Sequence, residues 1–252
     1  MRKNLTLTYI SRSLAQWDVE TFRDKEFARL FQLRPEQTYG VLHRLVSVGI
    51  LRRLANGRYL FVGLSGSPAE AQPFYLGTRL VEPSYVSFWS ALHYYGWTEQ
   101  APRMILFATT RVSGRRRVGS YSFRFVKLAP SRFFGYAAVR DGNLEVPLAE
   151  PEKAIVDSLY LPLTAGGMGL VASALPESLA TLDVARLQSY AARMGTRSLV
   201  SRLGHLLARL GIDAEILLPR ASSVYVKLDP HGSRRGRYDA RWKVIGNLRE
   251  VP

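Results

Sequence analysis

A chain of 252 residues, 47% apolar and 22% charged, can bury a core as one large domain or two modest ones, which excludes an intrinsically disordered protein. It has no cysteine, which excludes disulfides and thiolate metal sites, and no run approaching eighteen uncharged apolar residues, so no membrane span is expected. The net charge of +15 and the pI of about 10.4 point instead to a polyanionic partner. Of the 35 basic residues 29 are arginine, whose fork matches phosphates and guanine edges. A GC-rich genome or a hot habitat also favours arginine over lysine, but neither explains the excess of positive over negative charge. The polar start "MRKNLTLTYISRS" lacks the apolar run of a signal peptide, so a cytoplasmic protein is expected.

In chain order, "YISRSLAQW" has the periodic apolar content of a first helix. Asp24 is placed to cap a short second helix carrying Phe27, Ala28, Leu30 and Phe31. Pro35 suits the first turn of a third helix, because its missing N–H would be orphaned there in any case. That helix carries Thr38, Val41, Leu42, Leu45, Val46 and Val48 at mostly three- and four-residue spacing, and Gly49 stops it. Its other face shows Gln37, Tyr39, Gly40, His43, Arg44 and Ser47. "ILRRL" and "RYLFV" then flank Asn56-Gly57, a hairpin signal. Helix, helix, turn, helix and hairpin make the pattern of a winged helix-turn-helix.

In such a unit the third helix enters the major groove and the hairpin lies along a neighbouring phosphate strand or minor groove. Arg52, Arg53 and Arg58 are then expected at phosphates, and Asn56 and Gly57 allow close backbone approach at the tip. Gln37 suits an adenine edge and Arg44 a guanine or phosphate, while Tyr39 and His43 reach base or sugar. Thr38 joins the expected contacts, and Arg34 sits at the helix N-terminus, where free N–H groups favour phosphate. Winged helices also dock proteins, and Tyr39 could equally be a packing residue.

"GLSGSPAEAQP" reads as a linker, which divides the chain into a DNA-binding domain at 1–64, a linker at 65–73 and a second domain at 74–252. Beyond it, 84–97 has the look of a capped aromatic helix ended at Gly96, and 103–110 and 120–128 that of strands. "FGYAAV" and "LEVPL" flank Asp141-Gly142 as a hairpin, and 150–162 is a helix with an acidic first turn. Helices at 183–194 and 197–210 and strands at 222–228 and 241–247 complete an α+β chain: an N-terminal winged helix-turn-helix followed by a mixed α/β C-terminal domain. Gln100 to Arg140 holds nine basic residues and no acidic one, and Arg115-Arg116-Arg117, read as part of a strand connection, invites a phosphate-tracking role. The C-terminal "DPHGSRRGRYDARWKV" forms a second basic cluster.

Other chemistries fit less well. Asp141, Glu150, Glu152 and Lys153 suggest a metal-dependent nuclease, but the position two before the lysine, where an acid is usual, is Pro151. Glu150 and Glu152 suit a helix first turn, with Lys153 paired to Asp157 at i, i+4. "AGGMG" lacks the Lys-Ser or Lys-Thr of a phosphate loop and reads as a flexible connection. His43, His93, His205 and His231 are too scattered for zinc, and no serine or acid pair looks catalytic. No metal, cofactor or enzymatic activity is expected. The aromatics Phe88, Trp89, Tyr94, Tyr95 and Trp97 could line the pocket of a ligand-responsive regulator, although such spacing usually means core.

"YVSFWSALHYYGWTEQAPRMILFAT", "EVPLAEPEKAIVDSLYLP" and "VKLDPHGSRRGRYDARWKVIGN" resemble the AbiEi antitoxin family of type IV toxin–antitoxin systems. With the N-terminal unit the resemblance covers nearly the whole chain. It implies a repressor that binds inverted repeats in double-stranded DNA upstream of its own operon. It also implies a C-terminal domain that counteracts a nucleotidyltransferase toxin without a stable protein–protein complex.

Overall fold

The Thr6 side chain accepts a hydrogen bond from the Tyr9 N–H and so opens the first helix, α1 (Leu7–Gln16), which buries Ile10 and Leu14. The computed structural model describes residues 5–55, 57–63 and 72–248. After α1 come β1 (Thr21–Arg23), α2 (Asp24–Leu30), α3 (Pro35–Ser47), β2 (Leu51–Ala55) and β3 (Arg58–Phe61). The short strand β1 has no signature in the sequence pattern; it pairs antiparallel with β3, giving a sheet ordered β1-β3-β2.

Asp24 is the first residue of α2 and not its cap. The cap position is Arg23, whose N–H donates to Glu26 Oε2 at 2.7 Å. Pro35 does occupy the first turn of α3, and Gly49, at φ +78°, ends it in the left-handed region. Phe27, Phe31, Leu42 and Leu45 pack with Ile10, Leu14 and Phe22 into a small apolar cluster, so α3 turns one face inward and leaves the other outward.

The rest of the described chain is a six-stranded mixed sheet carrying helices. Its elements are α4 (Pro73–Leu80), β4 (Ser84–Val86), α5 (Trp89–Tyr94), β5 (Ile105–Thr109), β6 (Gly114–Val118), β7 (Tyr121–Lys127), β8 (Tyr136–Asp141), β9 (Leu144–Ala149) and α6 (Pro151–Tyr160). The strand order is β6-β7-β5-β4-β9-β8. Then follow α7 (Met168–Ser178), α8 (Val184–Arg193), α9 (Arg197–Arg209) and a small sheet of β10 (Val226–Lys227), β12 (Val244–Gly246) and β11 (Arg237–Asp239). The chain is thus mixed α+β.

Several expectations are corrected. Residues 84–97 are not one helix: Ser84, Tyr85 and Val86 form a fully buried strand between β5 and β9, and Phe88, at φ +56°, turns the chain into α5. Arg115-Arg116-Arg117 are not in a connection but form the middle of edge strand β6. Gly166 and Gly167, both at positive φ, lead from a 3-10 turn directly into α7. That helix escapes a periodicity reading because it is apolar on most sides, with Met168, Val171, Ala172, Ala174 and Leu175 all buried, and has Pro176 inside it. Most of the expected linker, residues 64–71, lies outside the described residues, and Pro73 already begins α4.

The N-terminal segment does not stand apart from the rest. Leu54 and Leu60, from β2 and β3, belong to the large apolar cluster of the C-terminal part. Thr21 Oγ1 lies 3.3 Å from the Tyr75 hydroxyl, and Arg58 reaches Glu82 with both guanidinium nitrogens, at 2.6 and 2.7 Å.

Candidate nucleic-acid interface

The outward face of α3 is open. Arg34, Gln37, Tyr39, His43 and Arg44 are exposed, Tyr39 at 72%, so Tyr39 is no packing residue. Its ring stacks on His43, with centroids 6.4 Å apart at 29°. Gly40 lies on the same face, and a Cβ added there would meet nothing within 4 Å. The fold does not require its small size, although glycine in a helix interior costs about 1 kcal/mol relative to alanine. Glu36, exposed in the first turn of α3, shares this face, a carboxylate that helix phase alone places among the cations.

Two expected contacts on α3 look different in place. Thr38 is buried, and its hydroxyl donates to the Arg34 carbonyl at 2.9 Å, so it takes no part in the exposed face. Gln37 Oε1 accepts the Arg34 N–H at 3.1 Å, closing the helix N-terminus. Bidentate recognition of adenine needs that same oxygen, so Gln37 reads a base with its amide N–H or gives up its cap.

On the hairpin, Arg52 and Arg53 are exposed. Arg52 extends to the β6–β7 turn, where a Cβ added at Gly119 would lie 3.5 Å from its guanidinium. Arg117 Nε donates to the Gly119 carbonyl at 3.2 Å, so a hairpin arginine and an edge-strand arginine converge on one turn. Arg115, Arg116 and Arg117 are exposed, and Arg115 stands directly across from Arg124. Like charges in that position repel. Among the described residues no carboxylate forms an ion pair with Arg115, Arg116, Arg117 or Arg124.

Arg58 is not available to a phosphate. Its side chain is 12% exposed and bound bidentately by Glu82, which also meets Arg79 at 3.3 Å and Arg23 at 3.4 Å. Gly57 is closed as well: its carbonyl accepts the Asp24 N–H at 2.9 Å, and a Cβ there would fall 2.8 Å from the Asp24 carboxylate. The other tip residue, Asn56, lies outside the described residues.

The hydrogen bond from Arg58, reinforced by the charges of Arg58 and Arg79 and opposed by burial, holds the Glu82 carboxyl down at about 2. The folded value lies below the ordinary 4.5, so the stabilisation is complete above pH 4.5 and disappears as pH falls towards about 2. Thermal melts across that window are expected to fall more steeply for the wild type than for Glu82→Gln. Parallel curves would show that the cluster does not clamp the N-terminal segment to α4.

The acidic cluster of 150–157 is engaged elsewhere. Glu150 accepts from the Tyr190 hydroxyl and Glu152 from the Asp183 N–H. Lys153 and Asp157 are fully buried together, with the hydroxyls of Tyr85 and Ser87 donating to Asp157 at 2.9 and 2.8 Å. The aromatic cluster is largely core: Phe88 and Trp97 are buried, and Tyr95 stacks on Trp97 at 4.7 Å.

No helix among the described residues is long and apolar enough to cross a membrane. No protein-family model and no curated protein matches the chain. Among solved structures it is similar to the RV2827C protein from Mycobacterium tuberculosis, with a TM-score of 0.62 at 14% identity over 94% of this chain and 90% of that one. At that identity the likeness is one of fold alone.

Proposed function

We propose that residues 5–63 form a winged helix-turn-helix and that the protein binds duplex DNA as a sequence-specific repressor of its own promoter. The observation that carries this reading is the outward face of α3, where Tyr39, His43, Arg44 and the uncrowded Gly40 stand beside a hairpin bearing Arg52 and Arg53. In this reading α3 enters the major groove, Arg44 and the amide of Gln37 meet base edges, and Arg52 and Arg53 lie along the phosphates. Arg34 holds a phosphate near the start of α3, and Arg115 to Arg117 extend the cationic surface beyond the hairpin. The net charge of +15 draws the polyanion in. The antitoxin role, exercised against a nucleotidyltransferase toxin, rests on the resemblance of the C-terminal segments to AbiEi proteins.

The test is a gel shift with the promoter duplex of the protein's own gene, at low salt and across a salt series. If six to eight phosphates are neutralised, log K falls against log salt with a slope of about −5 to −7. Arg53→Ala is expected to weaken all duplexes alike and to flatten that slope by about 1. Gln37→Ala is expected to relax preference at one base pair, at a cost of about 1–3 kcal/mol. Uniform losses from both variants would refute the division between reading and positioning, and indifference to the promoter at low salt would refute DNA binding itself. Co-expression with a nucleotidyltransferase encoded beside the gene tests the antitoxin role, which fails if growth is not restored.

A further inference from the structure

A cleft of about 530 Å³ opens at the far end of the chain, between the end of α9 and strand β11. It is lined by His205, Arg209, Arg237, Tyr238, Asp239 and Gly246, and its volume is that of a small-molecule site. His205 is 8% exposed, and its Nδ1 lies 2.6 Å from Asp239 Oδ2. The other carboxylate oxygen, Oδ1, accepts the N–H groups of Arg241 and Trp242 at 3.0 and 3.1 Å. Asp239 is therefore held on both sides and fixes the ring. Burial pushes its carboxyl up, but the His205 bond and the two backbone donors outweigh this and keep it below its ordinary value.

Because Asp239 accepts from Nδ1, that nitrogen carries the proton, and in the neutral ring Nε2 is left as an acceptor. Nε2 is buried and has no partner among the described residues. A buried acceptor left without a donor is destabilising, and a ligand hydroxyl would satisfy it. The surroundings are cationic: Arg209 closes α9, and Arg237 is exposed on β11 with no ion-pair partner among the described residues. Among the described lining residues the one carboxylate, Asp239, is already engaged by His205. Gly246 stands across from Arg237 in the sheet, and a Cβ added there would lie 3.4 Å from the Arg237 carbonyl oxygen.

We infer that this cleft binds a ribose phosphate group, as carried by a ribonucleotide: the phosphate lies on Arg237, and a sugar hydroxyl donates to His205 Nε2. A bare phosphate held on the arginine has only its own P–OH to offer that acceptor and leaves most of the cleft unfilled. The site is separate from the α3 face and does not depend on DNA binding.

Calorimetric titration of the full-length protein tests this with AMP, ribose 5-phosphate, 2′,3′-dideoxy-AMP and inorganic phosphate. AMP and ribose 5-phosphate are expected to saturate with Kd between about 1 μM and 1 mM, and both dideoxy-AMP and inorganic phosphate to bind about tenfold more weakly or worse. Arg237→Ser changes an exposed strand residue, so it should weaken AMP at least about tenfold while the melting temperature stays unchanged. Arg234→Ser, on the adjoining exposed loop, should bind as the wild type does. Absence of saturation below about 5 mM with every probe overturns the assignment, as does equal affinity for AMP in wild type and Arg237→Ser. So does inorganic phosphate or dideoxy-AMP binding as tightly as AMP, a comparison that needs no variant to fold.

Discussion

Lys153→Met is expected to destabilise the protein by about 3–5 kcal/mol, read as a lower urea midpoint with an unchanged slope. Lys153 and Asp157 are both fully buried, one turn apart on α6. Burial pushes the Lys153 ammonium down from its ordinary range, opposed by the Asp157 charge and hydrogen bond that favour it. The ammonium also donates to the Tyr85 hydroxyl at 3.0 Å and lies 4.8 Å from the Phe134 ring. Removing it leaves Asp157 with two hydroxyl donors and no countercharge in an apolar setting, so the carboxylate must protonate or draw in water. The pair as a whole is worth less than its breakage costs, because two charges were desolvated to form it. Combining Lys153→Met with Asp157→Asn should therefore recover part of the loss, since the asparagine oxygen still accepts from Tyr85 and Ser87. If Lys153→Met lies within about 1 kcal/mol of wild type, the pair is not the tie that fixes α6 to β4.

The sequence shows this pair only in outline. The i, i+4 spacing of Lys153 and Asp157 predicts an ion pair, but spacing says nothing of burial, which comes from Tyr85, Phe133 and Phe134 arriving from distant segments. The same limit runs through the fold. α3 and the β2–β3 hairpin are legible because Pro35, Gly49 and Gly57 act locally. β4 is not, because three buried residues owe their extended form to partners about twenty and sixty positions away, whereas Trp89 to Tyr94 beside them do turn helically. At the candidate interface, residue type and helical phase suffice to place Tyr39, His43 and Arg44 outward. They cannot place Arg58, whose partner Glu82 comes from another segment, or show that the Thr38 hydroxyl and the Gln37 amide oxygen are bound to Arg34. Nor can they show that Gly57 is closed, since it is Asp24, from another segment, that fills the space beside it.

Gly40→Leu separates stability from binding more sharply than the removal of any charge. Gly40 lies in the middle of α3, and a side chain there meets nothing of the protein. Leucine has a much better helix propensity, so the variant is expected to be more stable by about 0.5–1 kcal/mol and to melt at a higher temperature. On the duplex the expectation reverses. If α3 lies in the major groove with Tyr39, His43 and Arg44 at its surface, the missing side chain at Gly40 is what lets the backbone approach. Four added carbons then hold the helix off the bases, and overpacking of 1–3 kcal/mol corresponds to a loss of about ten- to a hundredfold in affinity for the promoter duplex. Binding to unrelated duplexes, which depends on Arg52, Arg53 and the overall charge, should fall much less. Removing a phosphate-contacting charge, as in Arg53→Ala, cannot show this pattern, because it weakens every sequence alike, and a destabilising variant cannot show it either, because it lowers the melting temperature as well. A more stable protein that has lost its promoter therefore places α3 at the bases. If Gly40→Leu keeps both its promoter and its discrimination, the outward face of α3 is not the reading surface, and the exposed Tyr39–His43 stack belongs to some other contact.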